Sequence, residues 1–240
     1  MTLMSGEMIV SLGGTMQFDV SPQARRNALT FCGLALLLFA LLVFLHLIRN
    51  DIPVGLSVVL GAASGILMLL GIGKLIEPPV SLVITPEGIR YLHRRGQWEI
   101  RWENIIRYDV PRVNRVMELE DAPFIGFRLY HVEEVLDDIS PRLASALLFE
   151  QRQLLTMALR HQAPDREDYT PYFDIPDSYI SPSGKVYKGL IGVFGKRMEQ
   201  MRELLGYDLY VSSAALDRDI YDFKAHLQKL QASRNGDTDA

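Results

Sequence analysis

The sequence predicts an α+β membrane protein, in which a two-helix transmembrane hairpin precedes a small antiparallel β-barrel or sandwich with helical additions. Two observations lead to this prediction. Residues 28–48 and 52–73 are uncharged, mostly apolar runs. As helices, each spans roughly the 30 Å hydrocarbon core of a bilayer. From residue 80 onward, short segments alternate apolar and polar residues between tight turns, which is typical of antiparallel strands.

The hairpin follows from the spacing of the two apolar runs, which together occupy residues 28–76. Only three residues separate them, so the two helices must be antiparallel. Arg25, Arg26 and Lys74 flank the hairpin, whereas its turn contains only Arg49. This bias favours both chain termini in the cytoplasm. A cleaved signal peptide is disfavoured, because a second apolar run follows the first at once.

The second run carries a small-xxx-small pair, Gly61 and Gly65. Such a pair lets two helix backbones approach closely in lipid. We expect this face to pack against the first span, because that helix is tethered three residues away. Formation of a homodimer through the same face is the alternative.

The remaining chain divides into three parts. Residues 1–27 are expected to form a cytoplasmic leader, in which 8–12 and 16–20 are each a short strand or a membrane-surface segment. Residues 80–232 are long enough to form a soluble domain with its own core. Residues 233–240 are polar and are predicted to be a disordered tail.

The soluble domain begins with a predicted meander of short strands. The clearest alternation places Trp98, Ile100 and Trp102 on one face, which is expected to be buried. In the next strand Ile106, Tyr108 and Val110 alternate with Arg107 and Asp109, which places the first three on the core-facing side. Strands are predicted at 81–85, 88–94, 97–102, 105–110, 113–119 and 124–131, with a last one at 208–212.

A helical insertion is predicted at about 135–205, before the last strand and a C-terminal helix at 214–231. It comprises a leucine-striped helix at 141–160, a proline-rich loop at 161–185 and an amphipathic helix at 186–205. The last of these contains Gly189, Gly192 and Gly195, a ridge suited to close contact with another helix or strand. We expect that helix to pack on the protein rather than in the membrane interface.

The stretch SLVITPEGIRYLHRRGQWEIRWENIIRYDV resembles the membrane-anchored, YcxB-like members of the bacterial pleckstrin-homology-like (PH-like) domains. These place a two-helix hairpin just before the barrel and share the run formed here by Ile100, Trp102 and Ile105. As a whole, the chain is similar to an uncharacterised, domain-of-unknown-function family of two-span bacterial inner-membrane proteins. The resemblance implies a small bent barrel capped by one terminal helix, at the bacterial inner (plasma) membrane. The resemblance implies no catalytic residue in this chain.

The sequence contains no strong catalytic or metal-binding pattern. The five histidines are scattered without ligand spacing, and the single cysteine, Cys32, lies inside the first span. The segment 181–185 (SPSGK) is weak support for a serine–lysine dyad, and the acids of 165–177 lack the spacing of a calcium loop. The net charge of −4 offers no strong attraction to nucleic acid. We therefore expect neither an enzyme nor a cofactor nor a metal site.

Two functions remain. The favoured one is a non-catalytic interaction or assembly module that contacts the lipid bilayer and another membrane or cytoplasmic protein. The alternative is a module that reads anionic lipid headgroups through arginines near the first strand hairpins. It is disfavoured because the turn after the first strand is short and contains Glu87. The predicted interaction surface consists of Arg94, Arg95, Lys188, Lys196 and Arg197.

Overall fold

The computed structural model describes residues 8–10, 16–20, 28–48, 53–76, 80–115, 118–162 and 168–238. The chain forms two compact units. One is Pro22–Pro79, and the other combines Met1–Ser21 with Val80–Ala240.

The smaller unit contains helices α1 (Ala28–Ile48) and α2 (Val54–Leu75). Both are long and apolar enough to span a membrane. Only 6% of the most apolar stretch of α1 and 11% of that of α2 is buried. The core helix of a soluble protein would be mostly buried, so the exposure of these two helices indicates membrane association. The first span has the predicted bounds. The second begins two residues later than predicted, because the backbone of Pro53 is extended and the helix starts after it.

The first sheet of the larger unit is an antiparallel meander of five strands in chain order. Val20 pairs with Leu82, so the chain on either side of the hairpin meets within one sheet. Residues 8–10 and 16–20 are therefore strands of this sheet, and the expectation of a separate leader is corrected for them. Burial explains the pairing, because Val20, Leu82 and Ile84 all lie in the core. The strands are β1 (Met8–Val10), β2 (Met16–Val20), β3 (Leu82–Ile84), β4 (Gly88–His93) and β5 (Gly96–Arg101).

A 3₁₀ turn at Trp102–Asn104 directs the chain from β5 into a second sheet. This sheet has the order β12-β9-β6, from β6 (Ile105–Asp109), β9 (Phe124–Leu129) and β12 (Leu209–Ser212). The buried side chain of Asn104 fixes the turn, since it accepts from the backbone N–H of His131 at 2.7 Å and donates to its carbonyl at 2.8 Å. The described strands form no ladder between the two sheets, so of the two predicted forms, barrel or sandwich, the closed barrel is absent from them.

A β-bulge between Ile105 and Arg107 changes which residues of β6 face inward. Ile105 is buried, whereas Ile106 is exposed. The prediction that Ile106 faces the core is therefore wrong, because a bulge inserts one residue and shifts the alternation.

Two short hairpins, six α-helices and a 3₁₀ turn at Ser213–Ala215 complete the larger unit's described elements. The predicted helix at 141–160 is broken at Gln151 into α4 and α5. The predicted helix at 186–205 begins only at Gly189, because residues 186–188 form a strand. The hairpins are β7 (Arg112–Arg115) with β8 (Glu118–Asp121), and β10 (Ser178–Ile180) with β11 (Val186–Lys188). The helices are α3 (Glu133–Asp138), α4 (Pro141–Glu150), α5 (Arg152–Gln162), α6 (Thr170–Phe173), α7 (Gly189–Leu205) and α8 (Ile220–Thr238).

The helix α8 continues through most of the segment predicted to be a disordered tail. The apolar residues of α8 that pack on the core end near Leu230, but polar contacts of the helix extend beyond that residue. Tyr108 donates to the side chain of Gln231 at 3.0 Å, and Arg234 pairs with Glu103. A solvated helix needs no apolar residue in its last turns, which is why the pattern placed its end too early.

The second sheet is covered on both faces. Ile125, Phe127 and Leu129 point into a core shared with the first sheet. Phe124 and Tyr210 point into a second core with residues of α5 and α7. The predicted insertion is therefore an integral layer of the domain, and α7 packs on protein as expected.

Candidate interaction surface

The serine–lysine segment at 181–185 is a structural clamp between the β10–β11 hairpin and α3. The hydroxyl of Ser183 donates to Glu133 at 2.6 Å, while Lys185 donates to Asp137 at 2.5 Å. Burial tends to raise the pKa of Glu133, but hydrogen bonds from Ser183 and Ser181 outweigh it and lower that pKa to about 2. Because the amine of Lys185 is bound to Asp137, it is not positioned to activate either serine.

The ridge of glycines on α7 lies against this same hairpin. A Cβ on Gly192 would lie 2.6 Å from the carbonyl oxygen of Asp177, and one on Gly195 would overlap the ring of Tyr179. The predicted close contact with a neighbouring element is thus confirmed for these two positions. Gly189 has no close neighbour but a φ of +63°, a conformation that favours glycine.

A shallow groove of about 390 Å³ lies between the β4–β5 turn, α4 and the start of α7. Its apolar part comes from Pro141 and from Leu190, which is 46% exposed. Two guanidinium groups, those of Arg95 and Arg142, line the same groove. The lining is completed by Ser145, one turn along α4 from Arg142.

Ser140 joins two of the elements that form the groove, the β4–β5 turn and α4. Its hydroxyl donates to the carbonyl of Arg95 at 2.9 Å and accepts from the N–H of Leu143 at 3.2 Å. The same side chain therefore caps α4 and ties it to the β4–β5 turn. Gly96 completes this contact, because a Cβ there would lie 2.6 Å from the Ser140 hydroxyl.

The groove is electropositive for two reasons. Within the described part of the chain, Arg94, Arg95, Arg142 and Lys188 are all exposed, and none belongs to an observed ion pair. In addition, the first turn of α4 contains no acidic residue and carries Arg142. A helix N-terminus favours negative charge, so this cation costs helix stability and strengthens the local positive potential.

Exposed apolar side chains accompany these cations. Phe149 is 77% exposed and lies one turn beyond Ser145 on α4. On the β10–β11 hairpin, Ile180 and Val186 form an exposed cross-strand pair, followed by Lys188. An apolar surface mixed with unpaired arginines is the composition expected of a binding surface.

The structure brings three of the five predicted surface residues to this region. Arg95 lines the groove, Arg94 precedes it in the same turn, and Lys188 lies two residues before Leu190. Lys196 is instead paired with Glu199 on the same helix.

Arg197 is not a surface residue, so its predicted place is corrected. It is 7% exposed, and one of its nitrogens donates to the carbonyl of Tyr172 at 3.2 Å. Burial lowers its pKa to about 10. The helical pattern placed it on the polar side, but the segment around α6 covers that side.

The predicted helix-packing glycines have different surroundings. A Cβ on Gly61 would lie 3.9 Å from Leu42 of α1, whereas Gly65 has open space around it. The close approach of α1 and α2 occurs elsewhere. Ser64 donates to the carbonyl of Ala35 at 2.9 Å, and a Cβ on Gly71 would meet the sulfur of Cys32 at 2.5 Å.

Sequence reasoning missed Arg142, Leu190 and Phe149 as surface residues. The stripe of leucines on α4 already implied that Arg142, Ser145 and Phe149 share the opposite, solvent-facing side. The apolar pattern of residues 186–205 does not distinguish Leu190 from its buried neighbours, and only the tertiary packing shows that it remains exposed.

A second cleft of about 390 Å³ lies between the β6–β7 connection, the end of α7 with Tyr207, and α8, but its charges are mutually satisfied. Lys224 pairs with Asp109 at 2.5 Å, and Arg112 pairs with Asp121 at 3.4 Å. The groove with unpaired cations is therefore the better candidate for binding. Among the described residues, no group of three or more His, Cys, Asp and Glu could hold a metal ion.

The family described as "Protein of unknown function (DUF2982)" matches residues 82–233, more than half of the chain. No curated protein and no solved structure matches the chain.

Proposed function

The chain belongs to the DUF2982 family, and we propose that it is a membrane-anchored, non-catalytic interaction and assembly module of the bacterial inner membrane. One observation carries this proposal: Arg95 and Arg142, which belong to no ion pair observed between described residues, line the same groove as the exposed side chain of Leu190. Such a groove suits a protein segment that combines acidic groups with an apolar anchor. The hairpin restricts the module to the membrane.

The orientation belongs to this proposal. Because Val20 and Leu82 pair in one sheet, the intervening chain leaves and returns on the same side of a membrane. Basic residues outside the hairpin favour the cytoplasmic side. A reporter fused after Ala240 should therefore report the cytoplasm, and one inserted at Asn50 the periplasm. The opposite pattern would refute the orientation.

The PH-like relationship also belongs to the proposal. It is supported by the meander of β3, β4 and β5, by the second sheet that follows, and by the terminal helix α8.

The test is photocrosslinking in intact membranes with a photoreactive amino acid at Ser145, which is exposed within the groove. We expect a protein adduct that is lost on Arg142→Glu. The same photoreactive group at Lys229, an exposed position of α8, provides the matched control. An adduct equally abundant at both positions, or one unaffected by Arg142→Glu, would contradict the proposal.

A second candidate function, binding of anionic lipid headgroups, is favoured by the same three arginines, Arg94, Arg95 and Arg142. Its distinguishing result is a lipid adduct at Ser145. Phosphatidylglycerol vesicles should then compete with crosslinking, and phosphatidylcholine vesicles should not. Competition that weakens steeply with salt would support this second function.

A further inference from the structure

We propose that the groove binds an acidic strip on a second copy of this chain, so that two copies form a symmetric dimer. The strip consists of Phe173, Asp174 and Asp177. This inference rests on the proposed function and names the partner of its groove. In the dimer, the groove of each copy would contact the strip of the other, as in an isologous interface.

The strip has the chemistry that the groove requires. Asp174 and Asp177 are exposed, and neither belongs to an ion pair observed between described residues. Phe173 is 42% exposed, with the guanidinium of Arg152 5.8 Å from its ring centre. The strip thus offers two carboxylates beside one aromatic anchor, complementary to two guanidiniums beside Leu190.

The position of the strip suits a twofold arrangement. Leu190 lines the groove, while Gly192, two residues along α7, approaches the carbonyl of Asp177. The groove and the strip therefore both adjoin the first turn of α7. A twofold axis near that turn would let each basic groove meet the acidic strip of the other copy.

A second copy is favoured over an unrelated acidic partner because the complement is encoded in the same chain. The two membrane helices also confine copies to one plane, which raises their effective concentration. Every attractive contact would occur twice in the dimer, so two modest charged contacts per copy would act together.

The experiment is a charge swap in the full-length protein, co-expressed with two different affinity tags and purified in mild detergent. We expect Arg142→Glu alone to reduce recovery of its differently tagged copy about tenfold or more, because like charges then face each other. Asp174→Arg alone should do the same. Co-expression of the two single variants should restore recovery, since both interfaces then regain an attractive pair.

Mutual rescue is the decisive result, because misfolding of either variant cannot produce it. Lys229→Glu and Asp138→Arg, reversals at exposed positions outside both surfaces, should leave recovery unchanged. Unaltered self-association of the single variants would overturn the proposal. Loss without mutual rescue would also overturn it and would assign the groove to a different protein or to lipid. The photocrosslinking at Ser145 is a separate measurement, so a hetero-adduct there would preserve the proposed function while the dimer failed.

Discussion

Asp208 joins three elements of the domain, and its replacement by Asn gives the sharpest test of the packing. Its side chain is fully buried, accepts from the backbone N–H of Leu129 at 2.8 Å and pairs with Arg202. Arg128 lies 3.9 Å away. Removing one member of a buried ion pair typically costs about 3–5 kcal/mol. Because the two arginines keep 30% and 26% of their side chains exposed, they remain partly solvated, and we expect about 2–4 kcal/mol.

The assay is urea unfolding of the detergent-solubilised full-length protein, followed by tryptophan fluorescence. Both tryptophans, Trp98 and Trp102, are buried in the core of the larger unit, so they report on its unfolding. The matched control is Glu99→Gln, which breaks an exposed pair with Arg90 and should cost about 0–1 kcal/mol. Equal losses for Asp208→Asn and Glu99→Gln would refute the assignment of Asp208 as a buried junction.

Three further predictions use the same unfolding measurement. Trp98→Ala should lower the free energy of unfolding by about 3–5 kcal/mol because the ring is fully buried; an unchanged midpoint would contradict the strand register. Gly195→Ala should cost about 1–3 kcal/mol, since the new methyl overlaps the ring of Tyr179, and Tyr179→Leu in the same chain should recover part of that loss. The pKa of Glu133 is lowered from 4.5 to about 2, so its contribution to stability is complete above about pH 4.5 and is lost as pH falls toward 2. Solvent screening limits that contribution to about 1–2 kcal/mol, and Ser183→Ala should flatten this part of the pH profile; an unchanged profile would exclude the clamp.

The local elements were largely predictable because their patterns have a short period. The first membrane helix has the predicted bounds, and the first three strands after the hairpin lie within one residue of their predicted limits. The buried face of Trp98, Ile100 and Trp102 is also confirmed. These features depend on neighbours two to four residues apart, which a sequence displays directly. The β-bulge at Ile105 escaped prediction because it arises in the pairing of β6 with β9, a strand further along the chain. The short strand at 186–188 escaped it because its hairpin partner, β10, lies in a proline-rich segment whose pattern indicates a loop.

By itself, the sequence determined that two apolar helices form a hairpin and that an α+β domain follows. The uncharged apolar runs at 28–48 and 52–73, and the alternation of apolar and polar residues in the strands, are local properties that a sequence displays directly. The tertiary structure alone decided that residues 16–20 belong to the first sheet, because Val20 pairs with Leu82, which follows both membrane helices in the chain. It also decided which cations are available for binding. Arg95 and Arg142 are far apart in sequence but line one groove, because Ser140 joins the β4–β5 turn to the start of α4. Arg197 is covered by the segment around Tyr172, and the helical pattern of α7 gives no information about the position of that segment.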